Sequence, residues 1–154
     1  MNSKNFLTLG KKLWPLNRSI TGNGVNQTLK ILKSYNNKLK IIKFKSGKKV
    51  FDWTIPNEWE VHEAWIKDEN GKKIINFEDN NLHLVGYSSP IKKKLLLKQF
   101  KDKLHFHKKQ PDAIPYVTSY YKKDWGFCLT YKQLKKMDNK KKYEIFINSK
   151  LKKG

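Results

Sequence analysis

Arginine occurs once in this 154-residue chain, at Arg18, although 34 residues are Lys or Arg. Cysteine also occurs once, at Cys128, which excludes an internal disulfide and a thiolate metal cluster. Acidic residues are absent from positions 1–50, which hold twelve basic ones. Positions 51–100 hold seven basic against eight acidic residues, and 101–154 hold fifteen against five. Long apolar runs are missing too. Leu95-Leu96-Leu97 is followed at once by Lys98, so no segment approaches the length of a membrane span. The opening Met1-Asn2-Ser3-Lys4-Asn5 has neither the apolar stretch nor the small-residue cleavage site of a signal peptide. The expected location is cytoplasmic, with no membrane partner.

The net charge of +21 raises nucleic-acid binding as a reading. The missing arginines argue against a dedicated binder, because guanidinium groups make the bidentate contacts that phosphate and guanine recognition favours. Lysine rises here together with Asn, Ile, Phe and Tyr, while alanine occurs only at 64 and 113. That joint bias resembles an A/T-rich coding sequence. Solvated lysines around a neutral middle third imply weak, sequence-independent association with nucleic acid, sensitive to salt. What is plentiful is aromatic: 13% of the chain, with five Trp and eight Phe, more than disordered chains carry. A folded core is expected.

Phe6, Leu7, Leu9, Leu13 and Trp14 lie close to helical spacing, and Pro15 ends that element. The turn-rich Ser19-Ile20-Thr21-Gly22-Asn23-Gly24 can cap a second helix, on which Val25, Leu29, Leu32 and Tyr35 form one face. From Leu39 the pattern becomes strand-like through Phe44, then again over Val50–Ile55 and over Trp59–Ile66. Asp68-Glu69-Asn70-Gly71 carries the Asn-Gly pair of two-residue hairpin loops, with Ile74–Phe77 as the return strand. Leu82, Leu84 and Gly86 predict another strand, and Ile91–Leu104 a short helix. Two prolines four apart make Gln110–Pro115 irregular. Tyr116–Tyr121, Trp125–Leu129 and Tyr143–Ile147 read as strands, and Tyr131–Met137 as one or two helical turns. Helices followed by strands give an α+β class.

Catalytic motifs are not visible. A zinc peptidase needs about three His, Asp or Glu ligands and a carboxylate to activate water. His62-Glu63 lacks a second histidine at helical spacing. His105 and His107 lie among Lys103, Lys108 and Lys109, which would repel a cation, and they read as surface histidines. Ser88, Ser89 and Ser119 lack a glycine elbow, and Cys128 sits in an apolar stretch as a packing residue. Aromatics beside turns are the other candidates. Tyr116, Tyr120, Tyr121 and Trp125 suit a binding cleft or an interface, and they suit the packing of a β-rich core equally well.

Leu13-Trp14-Pro15-Leu16-Asn17-Arg18-Ser19-Ile20-Thr21-Gly22-Asn23-Gly24-Val25 resembles the opening signature of a bacterial aminopeptidase-like family, whose members are often labelled polysaccharide-biosynthesis proteins. Four further stretches match in order: Val50–Pro56 with Glu58-Trp59, Asn81–Ser88, Gln110–Tyr121 and Trp125–Cys128. The resemblance implies a zinc-dependent aminopeptidase relative with a strand-rich domain, β-sandwich or barrel-like, inserted near the start of the peptidase unit. Residues 1–35 would supply helices of that unit, and 39–149 the inserted domain. The family's metal ligands have no counterpart here, so no cofactor is expected in this chain and zinc only in the full-length family. The resulting expectation is an N-terminal fragment, non-catalytic alone. Its partner would be the missing C-terminal peptidase segment or a separate chain supplying it, with homo-oligomer formation as a further role. The alternative is a small lysine-rich protein that binds nucleic acid or another anionic surface.

Overall fold

The computed structural model describes residues 3–154. The chain divides into two compact units, one up to Glu60 with Leu151–Gly154 and the other Val61–Lys150. The expected α+β class holds.

In the first unit, helix α1 spans Ser3–Leu13 and stops before Pro15, whose predecessor disfavours helical geometry. Helix α2 spans Asn23–Tyr35. Its cap differs from the expectation, since no side chain of the preceding turn caps it and Gly22 stands there with φ +99°. A Cβ on Gly22 would lie 2.6 Å from the Trp59 carbonyl oxygen, so glycine is needed both for the backbone conformation and for the close approach. Leu39–Phe44 is not a strand. Its lysine-interleaved residues find no neighbouring strand, and Ile42 and Phe44 are exposed. Val50–Ile55 is not one strand either. It folds back on itself as a hairpin of β1 (Lys49–Val50) and β2 (Trp53–Thr54), turning at Phe51 with φ +54°. Among the described residues of this unit only Gly22 and Trp59 are buried.

The second unit has a real core. A four-stranded sheet runs in the order β4 (Lys73–Asn76), β3 (Glu58–Lys67), β8 (Lys142–Lys152), β5 (Ile91–Leu96). Strand β8 alternates cleanly, burying Tyr143, Ile145, Ile147 and Ser149, the period-two pattern of a sheet with one covered face. The β3–β4 loop is longer than the two residues expected. Gly71, at φ +79°, follows a turn closed by its own amide on Asp68, and the Asp68 amide donates to Lys72, which is a three-residue loop.

Ile91–Leu104 departs most from its expected helix. Its first six residues pair with β8 from Ile91↔Ile147 to Leu96↔Lys142. Helix then survives only as α3 (Leu97–Phe100) and a 3₁₀ turn at Lys101–Lys103. The exposed Lys92–Lys94 lie on an edge strand, where lysine discourages further pairing. Leu82–Tyr87 is likewise a 3₁₀ turn (Asn81–His83) followed by isolated bridges from Leu84 and Gly86. Tyr116–Tyr121 and Trp125–Leu129 give no long strands. They supply a bridge at Thr118 and the short β7 (Phe127–Cys128), parallel to β6 (Leu104–His105). Helix α4 (Tyr131–Lys135) lies where turns of helix were expected.

Candidate functional site

The hydrogen bonds of the second unit sew residues 117–126 onto residues 85–89. Gly86 donates its amide to the Val117 carbonyl and accepts from the Ser119 amide, each at 2.9 Å. The Ser89 amide donates to the Asp124 carbonyl at 2.8 Å and the Val85 amide to that of Gly126 at 3.1 Å. The buried Ser88 hydroxyl donates to the Val85 carbonyl at 2.7 Å and accepts from the Gly126 amide at 3.2 Å. On the other side, Lys103 Nζ holds both Asp124 carboxylate oxygens at 2.8 and 3.1 Å. This strap borders an open cleft of about 230 Å³ whose lining includes Val85 and Val117.

His105 enters the cleft from β6. It is half-buried, and its imidazole makes no hydrogen bond to any described residue. Burial pushes its pKa below the usual histidine range, the nearby Asp124 and Asp102 carboxylates opposing that and Lys103 adding to it. Asp124 is held below the ordinary carboxylate range, first by the hydrogen bond from Lys103 and then by the Trp125 amide, while Lys103 is raised by the same bond. Ser119 also lines the cleft, but its hydroxyl donates to the Gly86 carbonyl at 3.2 Å. A serine, a histidine and an aspartate therefore share one recess with no hydrogen bond joining them. That is not the wiring of a hydrolytic triad.

The structure separates the four aromatic candidates. Tyr121 and Trp125 line the cleft; Tyr116 and Tyr120 do not. Tyr121 is 79% exposed and its ring rests 4.4 Å from that of Tyr120. Tyr120 in turn meets the buried Tyr87 edge-on at 5.8 Å. Tyr87 has φ +64°, a conformation uncommon for so large a side chain. Tyr116 is 67% exposed. The sequence reads His105 as a surface histidine, yet it lines the cleft. Its partners in the recess lie about twenty positions further along the chain, beyond the reach of local spacing.

Zinc finds no fitting set of donors. Among the described residues no group of three or more His, Cys, Asp or Glu side chains can hold a metal ion. His105 ends β6, while His107 is exposed beyond it. Cys128 is fully buried, and burial pushes its thiol up to about 12, which suits packing and not nucleophilic chemistry. No helix among the described residues is long and apolar enough to cross a membrane.

Residues 58–150 match the family described as "Domain of unknown function (DUF2172)". The chain belongs to that family. The DUF2172 match takes in the strap, the cleft and the four-stranded sheet. A protein of Clostridium acetobutylicum named "Putative polysaccharide biosynthesis protein with aminopeptidase-like domain" is 44% identical over 144 residues, which are 94% of this chain and 33% of that protein. A crystal structure described as that of a "putative peptidase" from Clostridium acetobutylicum is similar with a TM-score of 0.91 at 42% identity, covering 98% of this chain and 35% of that one. The chain thus spans about a third of the length of these relatives. The resemblance to the aminopeptidase-like family is borne out.

Proposed function

We propose that this DUF2172 chain is a non-catalytic portion of a zinc-aminopeptidase-like assembly, in which its strand-rich unit shapes the substrate entrance or holds subunits together. The observation that carries this reading is the coverage: nearly all of the chain is similar to about a third of two relatives whose names point to peptidases. Metal site and catalysis are assigned to the remaining two thirds of such a protein, in the same chain or a separate one. The exposed rings of the first unit support a covering partner. Among the described residues, nine of the eleven large exposed apolar side chains lie there, among them Phe6, Trp14, Phe44 and Phe51. Phe6, Leu7 and Trp14 line one apolar recess of that unit, and contiguous exposed apolar surface marks interaction sites. Nucleic acid is assigned only weak, salt-sensitive association through dispersed lysines.

The test is metal analysis and peptidase assay of the chain purified without a histidine tag. Aminoacyl-anilide substrates should show no turnover above buffer, with or without added zinc, and zinc should be far below one per chain. Stoichiometric zinc together with chelator-sensitive hydrolysis would overturn the proposal.

A further inference from the structure

The cleft beneath the strap has no part in the assembly reading, and three of its properties converge on one ligand chemistry. The first is electrical. Asp124 is neutralised by Lys103, which reaches both carboxylate oxygens. The imidazole of His105 is kept uncharged near pH 7 by its burial, and Lys122 is exposed at the edge. Such a recess offers no unbalanced buried charge to select an ion.

The second property is the aromatic surface. Tyr121 presents an exposed ring braced by Tyr120, which is braced by Tyr87. Trp125 is half-buried and lines the same cleft. Rings held in place by their neighbours lose little side-chain freedom when a ligand settles on them.

The third property is unused hydrogen-bonding capacity. The His105 imidazole, with no hydrogen-bond partner among the described residues, offers one donor and one acceptor when neutral. Asp124 Oδ2 accepts from Lys103 alone, although a carboxylate oxygen accepts two bonds. The Ser119 hydroxyl, donating to Gly86, still accepts.

We propose that this cleft binds a single uncharged pyranose ring. Its apolar C–H face would lie on Tyr121 and Trp125, and its hydroxyls would meet His105, Asp124 and Ser119. A sugar hydroxyl donates and accepts at once, which matches an imidazole beside a carboxylate. The side chain of a bound peptide's phenylalanine would satisfy the rings and leave those polar groups without partners. At about 230 Å³, the recess is smaller than the roughly 300–1,000 Å³ of drug-sized sites, so one ring fills it.

The experiment is a titration of the ¹⁵N-labelled chain with the methyl pyranosides of glucose, galactose and mannose, and with N-acetyltyrosinamide, followed by ¹H–¹⁵N correlation spectra. At least one glycoside should give saturable shifts confined to His105, Ser119, Tyr121 and the Trp125 amide and indole. Tyr121→Ala, at an exposed position that leaves the fold intact, should weaken that glycoside about five- to tenfold, the size of one aromatic contact. No saturable shift with any glycoside overturns the proposal, as do shifts centred elsewhere or a Tyr121→Ala affinity equal to wild type. Saturation by N-acetyltyrosinamide alone also overturns it, and reassigns the cleft to a peptide side chain.

Discussion

His105 is half-buried without a hydrogen bond to any described residue, and that makes it a reporter of the cleft. Its folded pKa lies below the ordinary 6.5 because burial disfavours the imidazolium. On acidification the unfolded chain therefore takes up this proton first. Its contribution to stability falls as pH drops below about 6.5 toward the folded value. Asp124 acts in a separate window, below its ordinary 3.8, because the hydrogen bond from Lys103 depresses it. We expect urea midpoints to fall from pH 7 to pH 5 more steeply in the wild-type chain than in His105→Gln. Equal slopes would show that His105 titrates as it does in water. The sequence concealed this residue. Lys108 and Lys109 nearby give it a surface character, while Asp124, which shares its recess, arrives through the parallel pairing of β6 and β7. Cys128 was the opposite case, because its apolar neighbours in sequence are also its surroundings in space.

At the scale of elements, local signals succeeded where the chain settles its own hydrogen bonds and failed where a distant strand does so. Helix α4 carries a reciprocal cap: Thr130 Oγ1 accepts from the Gln133 amide at 3.0 Å, and Gln133 Oε1 accepts from the Thr130 amide at 2.8 Å. Its four-residue signature is readable without a structure. Strand β5 is not readable in that way. Ile91, Leu95 and Leu96 fit a helical face as well as a strand, and six registered pairs with a segment fifty residues away decide the matter. The opposite charges of Lys94 and Glu144 sit across from each other in that register. The strap depends on one small residue. A Cβ on Gly126 would lie 2.9 Å from the Lys103 carbonyl oxygen and 3.0 Å from Val85 Cγ2. Gly126→Ala should cost about 1–3 kcal/mol, as overpacking does, and Thr130→Ala about 1 kcal/mol. Chemical denaturation measures both, and a Gly126→Ala chain as stable as wild type would mean that the strap yields easily.

For the whole molecule, the division of apolar side chains between the two units has a dynamic consequence. The second unit buries Ile66, Phe100, Phe127, Leu129, Ile145 and Ile147 completely or nearly so. The first buries Trp59 as its single large side chain among the described residues, and α2 has no buried residue at all. Helices of three turns are marginal in water when packing does not hold them, and segments with few buried apolar contacts open at low free-energy cost. Amide hydrogen exchange should therefore be fast across α1 and α2 and slow in the central strands, at Ile66 and Ile145 above all. Docking a partner on the exposed rings of Phe6 and Trp14 would then slow exchange in the helices and leave the sheet unchanged. Equal, strong protection of helices and strands in the isolated chain would show that the first unit stabilises itself. The exposed rings would in that case need no covering surface, and the assembly reading would lose its structural support.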